Sequence, residues 1–180
     1  RGSAGVILVT TKQGRRGTSY IEYNGQLTHS SVGKYPNVLT PEEWRELHEE
    51  TGLGTDFGES TDWFKETTNP TLSQTHNLSM SGGNEKTKYR ASLNFRDNNG
   101  VALNTGFTQI NGRLNFQQKA INDRLTIDVN IGATDRTSMF GYTEAFRYAS
   151  IYNPTAPVRS DDPAYEQYDG YFQQVLFDYY

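Results

Sequence analysis

Cysteine is absent from the 180 residues, which removes disulfides and thiol chemistry and leaves the compartment undecided. Long apolar runs are absent as well. The longest, Val6 to Val9, falls far short of the roughly 20 residues a membrane-spanning helix needs. There is no excess of positive charge: 17 Lys and Arg against 21 Asp and Glu leave a net charge of −4, scattered along the chain. That removes the electrostatic footprint of a nucleic-acid-binding protein. The three histidines, His29, His48 and His76, lie far apart, and His48-Glu49-Glu50-Thr51-Gly52 lacks the second histidine of a zinc helix. No metal or cofactor is implied. Aromatic residues, by contrast, reach 13%, a level that disordered chains lack.

Against these absences stands a repeated alternation of period two. Ile21, Tyr23 and Leu27 alternate with Glu22, Asn24 and Gln26 in the stretch from Ser19 to His29. Leu72, Leu78 and Met80 alternate more weakly with Ser73, Asn77 and Ser81. Tyr89, Ala91, Leu93 and Phe95 then face Lys88, Arg90, Ser92 and Asn94 without a fault. Ile110, Leu114 and Phe116 repeat the pattern against Asn111, Arg113 and Asn115, as do Leu125, Ile127, Val129 and Ile131 against Thr126, Asp128 and Asn130. These five runs predict five β-strands, each with one apolar and one polar face.

The runs are about ten residues long, the length that crosses a bilayer as a tilted strand. Their connections alternate in size: long between Ser30 and Pro70, tight from Gly82 to Lys86, medium from Asp97 to Gly106, tight from Ala120 to Asp123, and long after Asp135. Transmembrane barrels show such an asymmetry between their two ends. In a barrel the polar set Lys88, Arg90, Asn94, Arg113, Asn115 and Asp128 turns into a wet lumen and the apolar set meets lipid. A soluble β-sandwich, acting in binding or adhesion, accounts for the same alternation by packing the apolar face on a second sheet. The pattern leaves both open.

At the start of the chain, Arg1-Gly2-Ser3-Ala4-Gly5 leads into Val6-Ile7-Leu8-Val9-Thr10-Thr11-Lys12, an apolar strand expected to be buried on both faces. Gly14-Arg15-Arg16-Gly17 breaks it as a flexible connector. The run RGSAGVILVTTKQG resembles the end of the plug domain of SusC/RagA-type TonB-dependent outer-membrane receptors. The stretches NLSMSGGNEKTKYRASLNF and DNNGVALNTGFTQINGRLNF resemble the second to fourth barrel strands of that family. The resemblance implies an all-β fold, an antiparallel segment of a 22-stranded transmembrane barrel preceded by the last plug strand. It assigns residues 1–14 to the end of the plug, with Arg1, Gly2, Gly5, Val6, Ile7, Thr10, Thr11, Lys12 and Gly14 as its motif. Residues 15–17 are then a linker, and residues 18–180 the first part of the barrel with long extracellular loops. The sequence accordingly reads as a segment of a longer chain. The function implied is non-enzymatic: import of oligosaccharide or peptide nutrients across the outer membrane of a Gram-negative, Bacteroidetes-like bacterium. The implied partners are outer-membrane lipid, a SusD-like surface lipoprotein, and TonB, engaged through a region outside these residues.

The remaining candidates lie in the loops. Thr40-Pro41-Glu42-Glu43 predicts a helix start, with Thr as N-cap, Pro at the first position and a carboxylate at the third. Glu42, Glu43, Glu46, Glu49 and Glu50 read as a solvated face of that helix, since nothing nearby buries a carboxylate pair for glycoside hydrolysis. About half of all aromatic side chains fall after Met139. Trp44, Trp63, Tyr142, Tyr148, Tyr152 and Tyr168 are candidates for contact with a ligand or partner, because such rings stack on sugars. They serve equally as loop cores or membrane girdles.

Overall fold

The computed structural model describes residues 17–173. The plug-end motif from Arg1 to Gly14 lies outside the described residues. Five strands, β1 (Gly17–Ser30), β2 (Thr71–Gly83), β3 (Thr87–Asn99), β4 (Gly106–Ala120) and β5 (Leu125–Met139), form one sheet in the order β1-β2-β3-β4-β5. Pairing from β2 to β5 is antiparallel throughout. All five expected strands are present, but they are 13 to 15 residues long, beyond the ten or so read from the alternation. The excess lies where the apolar face turns polar. Gln74, Asp97 and Thr108 follow one another across β2, β3 and β4, and β5 continues past Asp135 through Arg136 and Thr137. Backbone pairing thus outlasts the apolar band that revealed it.

The register fixes the faces. Leu78, Leu93, Gly112 and Ala133 share one row, and Met80, Ala91, Leu114 and Ile131 the next. These residues are not covered by protein: Ile21 is 71% exposed, Leu27 67% and Ile131 58%. At one end of the face, Tyr23, His76 and Phe95 stack in series with ring centroids 6.0 and 6.1 Å apart. The Tyr23 hydroxyl and His76 Nδ1 lie 2.6 Å apart.

The tight connections follow from local chemistry. Asn84 Oδ1 accepts the backbone N–H groups of Lys86 and Thr87 at 2.9 and 2.8 Å, turning β2 into β3. Gly83 has φ +153°, and a Cβ there would collide with the Thr87 carbonyl oxygen. The β4–β5 turn places Ile121, Asn122 and Asp123 in the left-handed region at φ +53°, +52° and +64°. Ile121 is a costly occupant, because its branched Cβ crowds the backbone there.

The longer connections, residues 30–71, 100–105 and 140–173, form a second compact unit. It contains helices α1 (Pro41–Thr51), α2 (Trp63–Glu66) and α3 (Ala145–Ile151) and a 3-10 turn, Pro163–Tyr168. The Thr40 cap is as expected: Glu43 N donates to Thr40 Oγ1 at 3.2 Å, Thr40 N to Glu43 Oε2 at 2.8 Å, and Gly52 ends the helix in the left-handed region.

The buried apolar residues of this unit are few, Phe64, Ala149 and Ala156. A polar clasp supplements them. Asn153-Pro154-Thr155-Ala156 lies against residues 55–63, with Thr155 fully buried. The Thr155 hydroxyl accepts the Phe57 N–H at 3.1 Å and donates to Asn153 Oδ1 at 2.8 Å. Asn153 Nδ2 donates to the Thr55 carbonyl at 2.7 Å, and the Thr61 hydroxyl to that of Ala156 at 2.6 Å. The backbone N–H groups of Glu59 and Thr61 donate to the carbonyls of Thr155 and Pro154. The polar groups of the clasp are thereby paired, which is the condition for burying them at low cost.

Two outcomes follow for the full-length protein. Gly83→Ala should lower the yield of folded protein, because the new methyl forces the β2–β3 turn apart. Thr155→Val should speed hydrogen exchange at the Phe57 amide by about tenfold or more, the loss of one buried acceptor being worth about 1 to 3 kcal/mol. The Glu59 amide, bonded to a backbone carbonyl, should change less.

Candidate functional site

On the polar face of the sheet, the register sets Asn77, Asn94, Asn111 and Thr134 opposite one another on four successive strands. Asn94 Nδ2 donates to Asn77 Oδ1 at 2.6 Å, and Asn111 Nδ2 to Asn94 Oδ1 at 3.0 Å. The Thr134 hydroxyl and Gln109 Nε2 both donate to Asn111 Oδ1, at 2.7 and 3.1 Å. The result is an amide ladder running across the strands. Each amide orients the next, and the strand spacing of about 4.8 Å is spanned by one hydrogen bond per step. Sequence reasoning picked out Asn94 but not the ladder. The asparagines recur at a separation of 17 residues, a signal that acquires meaning only with the register.

The other polar candidates fall on the same face. Arg90 pairs across to Asn115, and Asn115 to Asn130; Lys88 pairs across to Gln117, and Gln117 to Asp128. Arg90 donates to Ser79 Oγ at 3.2 Å, and Gln117 Nε2 to Asp128 Oδ1 at 2.8 Å. Arg113 occupies the row between, opposite Ser92. Toward the loop end, Arg136 lies 3.9 Å from the centroid of the Phe107 ring and donates to Ser138 Oγ at 3.1 Å. The arrangement offers water or a solute a dense array of amide, hydroxyl and guanidinium groups.

In the loop unit a cavity of about 700 Å³ is lined by Tyr35, Leu39, Trp44, Trp63 and Tyr152 among others. Three of the candidate loop aromatics therefore meet at one place, but two are committed to packing. Trp63 and Tyr152 stand edge to face at 4.8 Å, and Trp63 Nε1 donates to the Asn153 carbonyl at 2.9 Å. Trp44 lies against Gly54, where a Cβ would come within 2.7 Å of its ring. Its indole nitrogen is buried without a hydrogen-bond partner. Tyr142 and Tyr148 form a separate, near-parallel pair at 6.2 Å, with the Arg147 guanidinium 5.5 Å from the Tyr148 ring. A side-chain hydrogen bond with Tyr148 pushes the Tyr142 phenol up from its ordinary value. Tyr168, on the 3-10 turn and 46% exposed, stands apart from both.

Loop electrostatics are local. The Gly58 N–H donating to Asp56 at 2.9 Å, with Arg45 at 3.3 Å, holds that carboxylate below the usual range. Arg45 also donates to the Glu59 carbonyl at 2.6 Å, tying α1 to the 56–60 segment. The residues that sequence reasoning missed altogether are Asn153 and Thr155. Pro154 and Pro157, within Asn153-Pro154-Thr155-Ala156-Pro157, were the available signal, since a run so rigid and so polar is suited to a fixed, hydrogen-bonded loop.

No protein-family model matches the chain. The TonB-dependent receptor SusC of Bacteroides thetaiotaomicron is 30% identical over 181 residues, which cover 97% of this chain and 18% of SusC. The TonB-dependent receptor P26 of Formosa agariphila is 28% identical over 185 residues, covering 94% of this chain and 18% of its own length. Among solved structures, the RagAB peptide importer in its closed-closed state superposes with a TM-score of 0.61 at 22% identity, over 73% of this chain and 19% of that one. Its open-open state gives 0.62 at 21% identity, with the same coverage. At that identity the structures speak to fold alone, and the fold they share is a stretch of receptor barrel. The chain spans about a fifth of the length of the curated relatives it matches. Matched along nearly its whole sequence to SusC and in its fold to a stretch of the RagAB importer, the chain is similar to a segment of the SusC/RagA-type TonB-dependent receptors.

Proposed function

We propose that the whole protein to which this segment belongs is an energised importer of oligosaccharide or peptide nutrients in the outer membrane of a Gram-negative, Bacteroidetes-like bacterium. The observation that carries the reading is a single sheet with an uncovered apolar face and a hydrogen-bonded polar face. Lipid is the cover that suits the first, and a water-filled lumen the second. A soluble sandwich would need a second sheet over Leu78, Leu93, Leu114 and Ile131, and all five strands of the described residues lie in one sheet. The curated relatives are receptors, which supports a role other than catalysis.

In this reading residues 1–14 close the plug, 15–17 tether it, and 18–180 begin the barrel, with the loop unit outside the cell. The outer membrane has no nucleotide energy source of its own, so work on the plug is delivered by TonB from the inner membrane. A SusD-like lipoprotein would cap the loops and hand over solute. The cavity flanked by Trp44 and the Tyr142–Tyr148 pair, of which Tyr142 is exposed and Tyr148 half-buried, are the loop features open to contact. Lys88, Arg90, Asn94, Arg113, Asn115 and Asp128 would line the path inward.

Two measurements on the full-length receptor test this. Leu93→Arg and Leu114→Arg should block assembly in the outer membrane, since a cation at mid-bilayer on the lipid face costs about 2 to 4 kcal/mol. Asn130→Arg, on the opposite face, should assemble normally; equal sensitivity of both faces would refute the barrel. Uptake of the cognate solute should cease when the inner-membrane energiser is removed, while binding at the cell surface persists. Continued uptake would identify an open porin instead.

A further inference from the structure

Charge in the sheet is sorted by face. The polar side of β3, β4 and β5 carries Lys88, Arg90, Arg96, Arg113, Lys119 and Arg136 against Asp128. Asp97 and Asp135 are on the other side, in register with Thr108 and Ile110. Among the described residues the ion pairs are Arg45–Asp56, Lys65–Asp62 and Arg147–Glu144, all in the loop unit. None involves a cation of the sheet. The acidic excess behind the net charge of −4 resides in the loops, in residues 30–71 and 140–180. With Glu22 of β1 added on the same side, the polar face of the sheet still carries more cations than carboxylates, and its β3 to β5 part is a positive wall within an acidic chain.

A neutralising partner is required, because cations gathered on one surface repel each other and attract anions. The plug end and linker, residues 1–17, do not supply it: they carry Arg1, Lys12, Arg15 and Arg16 and no carboxylate. The geometry of the donors suits an anionic group. Guanidinium presents a planar fork of N–H donors that matches carboxylate or sulfate oxygens in pairs. Arg113 continues the Ser79–Ser92 row, Arg90 stands in the next row and donates to Ser79, and the Asn77–Asn94–Asn111 ladder offers neutral polar groups on the other side.

We propose that this face is an anion-binding wall, centred on Arg90, Arg113 and Ser92, that selects solutes bearing carboxylate or sulfate groups. The inference rests on the reading of this face as the lumen wall. It adds the charge class of the cargo.

The chain's lack of cysteine gives a direct test in the full-length receptor, provided any cysteines elsewhere are replaced. With Ser92→Cys, reaction rates are compared for an anionic and a cationic methanethiosulfonate of similar size. Relative to free cysteine, the anionic reagent should be favoured by roughly five- to tenfold, as expected for a potential of about one kT per unit charge. The preference should shrink in high salt and in the Arg90→Gln, Arg113→Gln background; the salt arm needs no second mutation. Reaction with neither reagent in the folded receptor would overturn the lumen reading itself. Reaction with both at the free-cysteine ratio would leave that reading standing and overturn the anion wall, with plug carboxylates as the neutralising groups. Protection by trigalacturonate alone would identify an acidic glycan as the source of the anion, and protection by triglutamate alone an acidic peptide. Protection by neither would overturn the wall as a binding surface.

Discussion

An apolar sheet face with no protein layer over it is the constraint on which the rest of this structure depends. Burying a leucine or isoleucine side chain is worth about 1.5 to 3 kcal/mol, and here Leu27, Leu78, Leu93, Leu114 and Ile131 gain little of that from protein. The usual answer, a second layer packed on the first, is missing among the described residues: the buried apolar residues all belong to the loop unit. In the proposed barrel the strands are instead covered by a solvent that is itself apolar. A bilayer supplies that, and it also strengthens the demand on the backbone, since no water remains to satisfy a lone N–H or C=O.

That demand explains the regularity of the sheet. Pairing is continuous over ten residues of β2 with β3, and through the full length of β4 with β5. Turns are short where they can be, and they are closed by side chains such as Asn84. The two outer strands keep one unpaired edge each among the described residues, which in a closed barrel is met by further strands. The amide ladder on the polar face obeys the same rule, although the buried Ser81 hydroxyl in the row of Arg90 has no hydrogen-bond partner. Asn94 and Asn111 each both donate and accept within the ladder, so their amides are partnered even before a solute arrives.

The loop unit solves the opposite problem. Long connections have little apolar material to bury, and Phe64, Ala149 and Ala156 alone would be a meagre core. Hydrogen bonds from Asn153 and Thr155 to segments nearly a hundred residues earlier hold the first and last connections together. Two prolines restrict the clasp before it forms, reducing the entropy lost on closure. A rigid frame of this kind suits loops that must present Trp44, Tyr142 and Tyr148 in fixed positions.

The sequence by itself determined the strands, their two faces and the capped helix at Thr40, because each is written in local periods or in residues three apart. It also carried the family resemblance, in runs such as the one from Asn77 to Phe95. Strand ends were read short, since backbone pairing continues where apolar alternation has already stopped, at Asp97 and Asp135. The tertiary structure alone decided what meets across strands and between loops. The amide ladder depends on the register that the Asn84 turn and its neighbours impose. The clasp joins Phe57 to Thr155 across 98 positions. The separation of Trp63 and Tyr152, spent on packing, from the Tyr142–Tyr148 pair is likewise invisible in composition. Periodicity reports which way a side chain points; only chain closure over long distances settles which other side chain is waiting there.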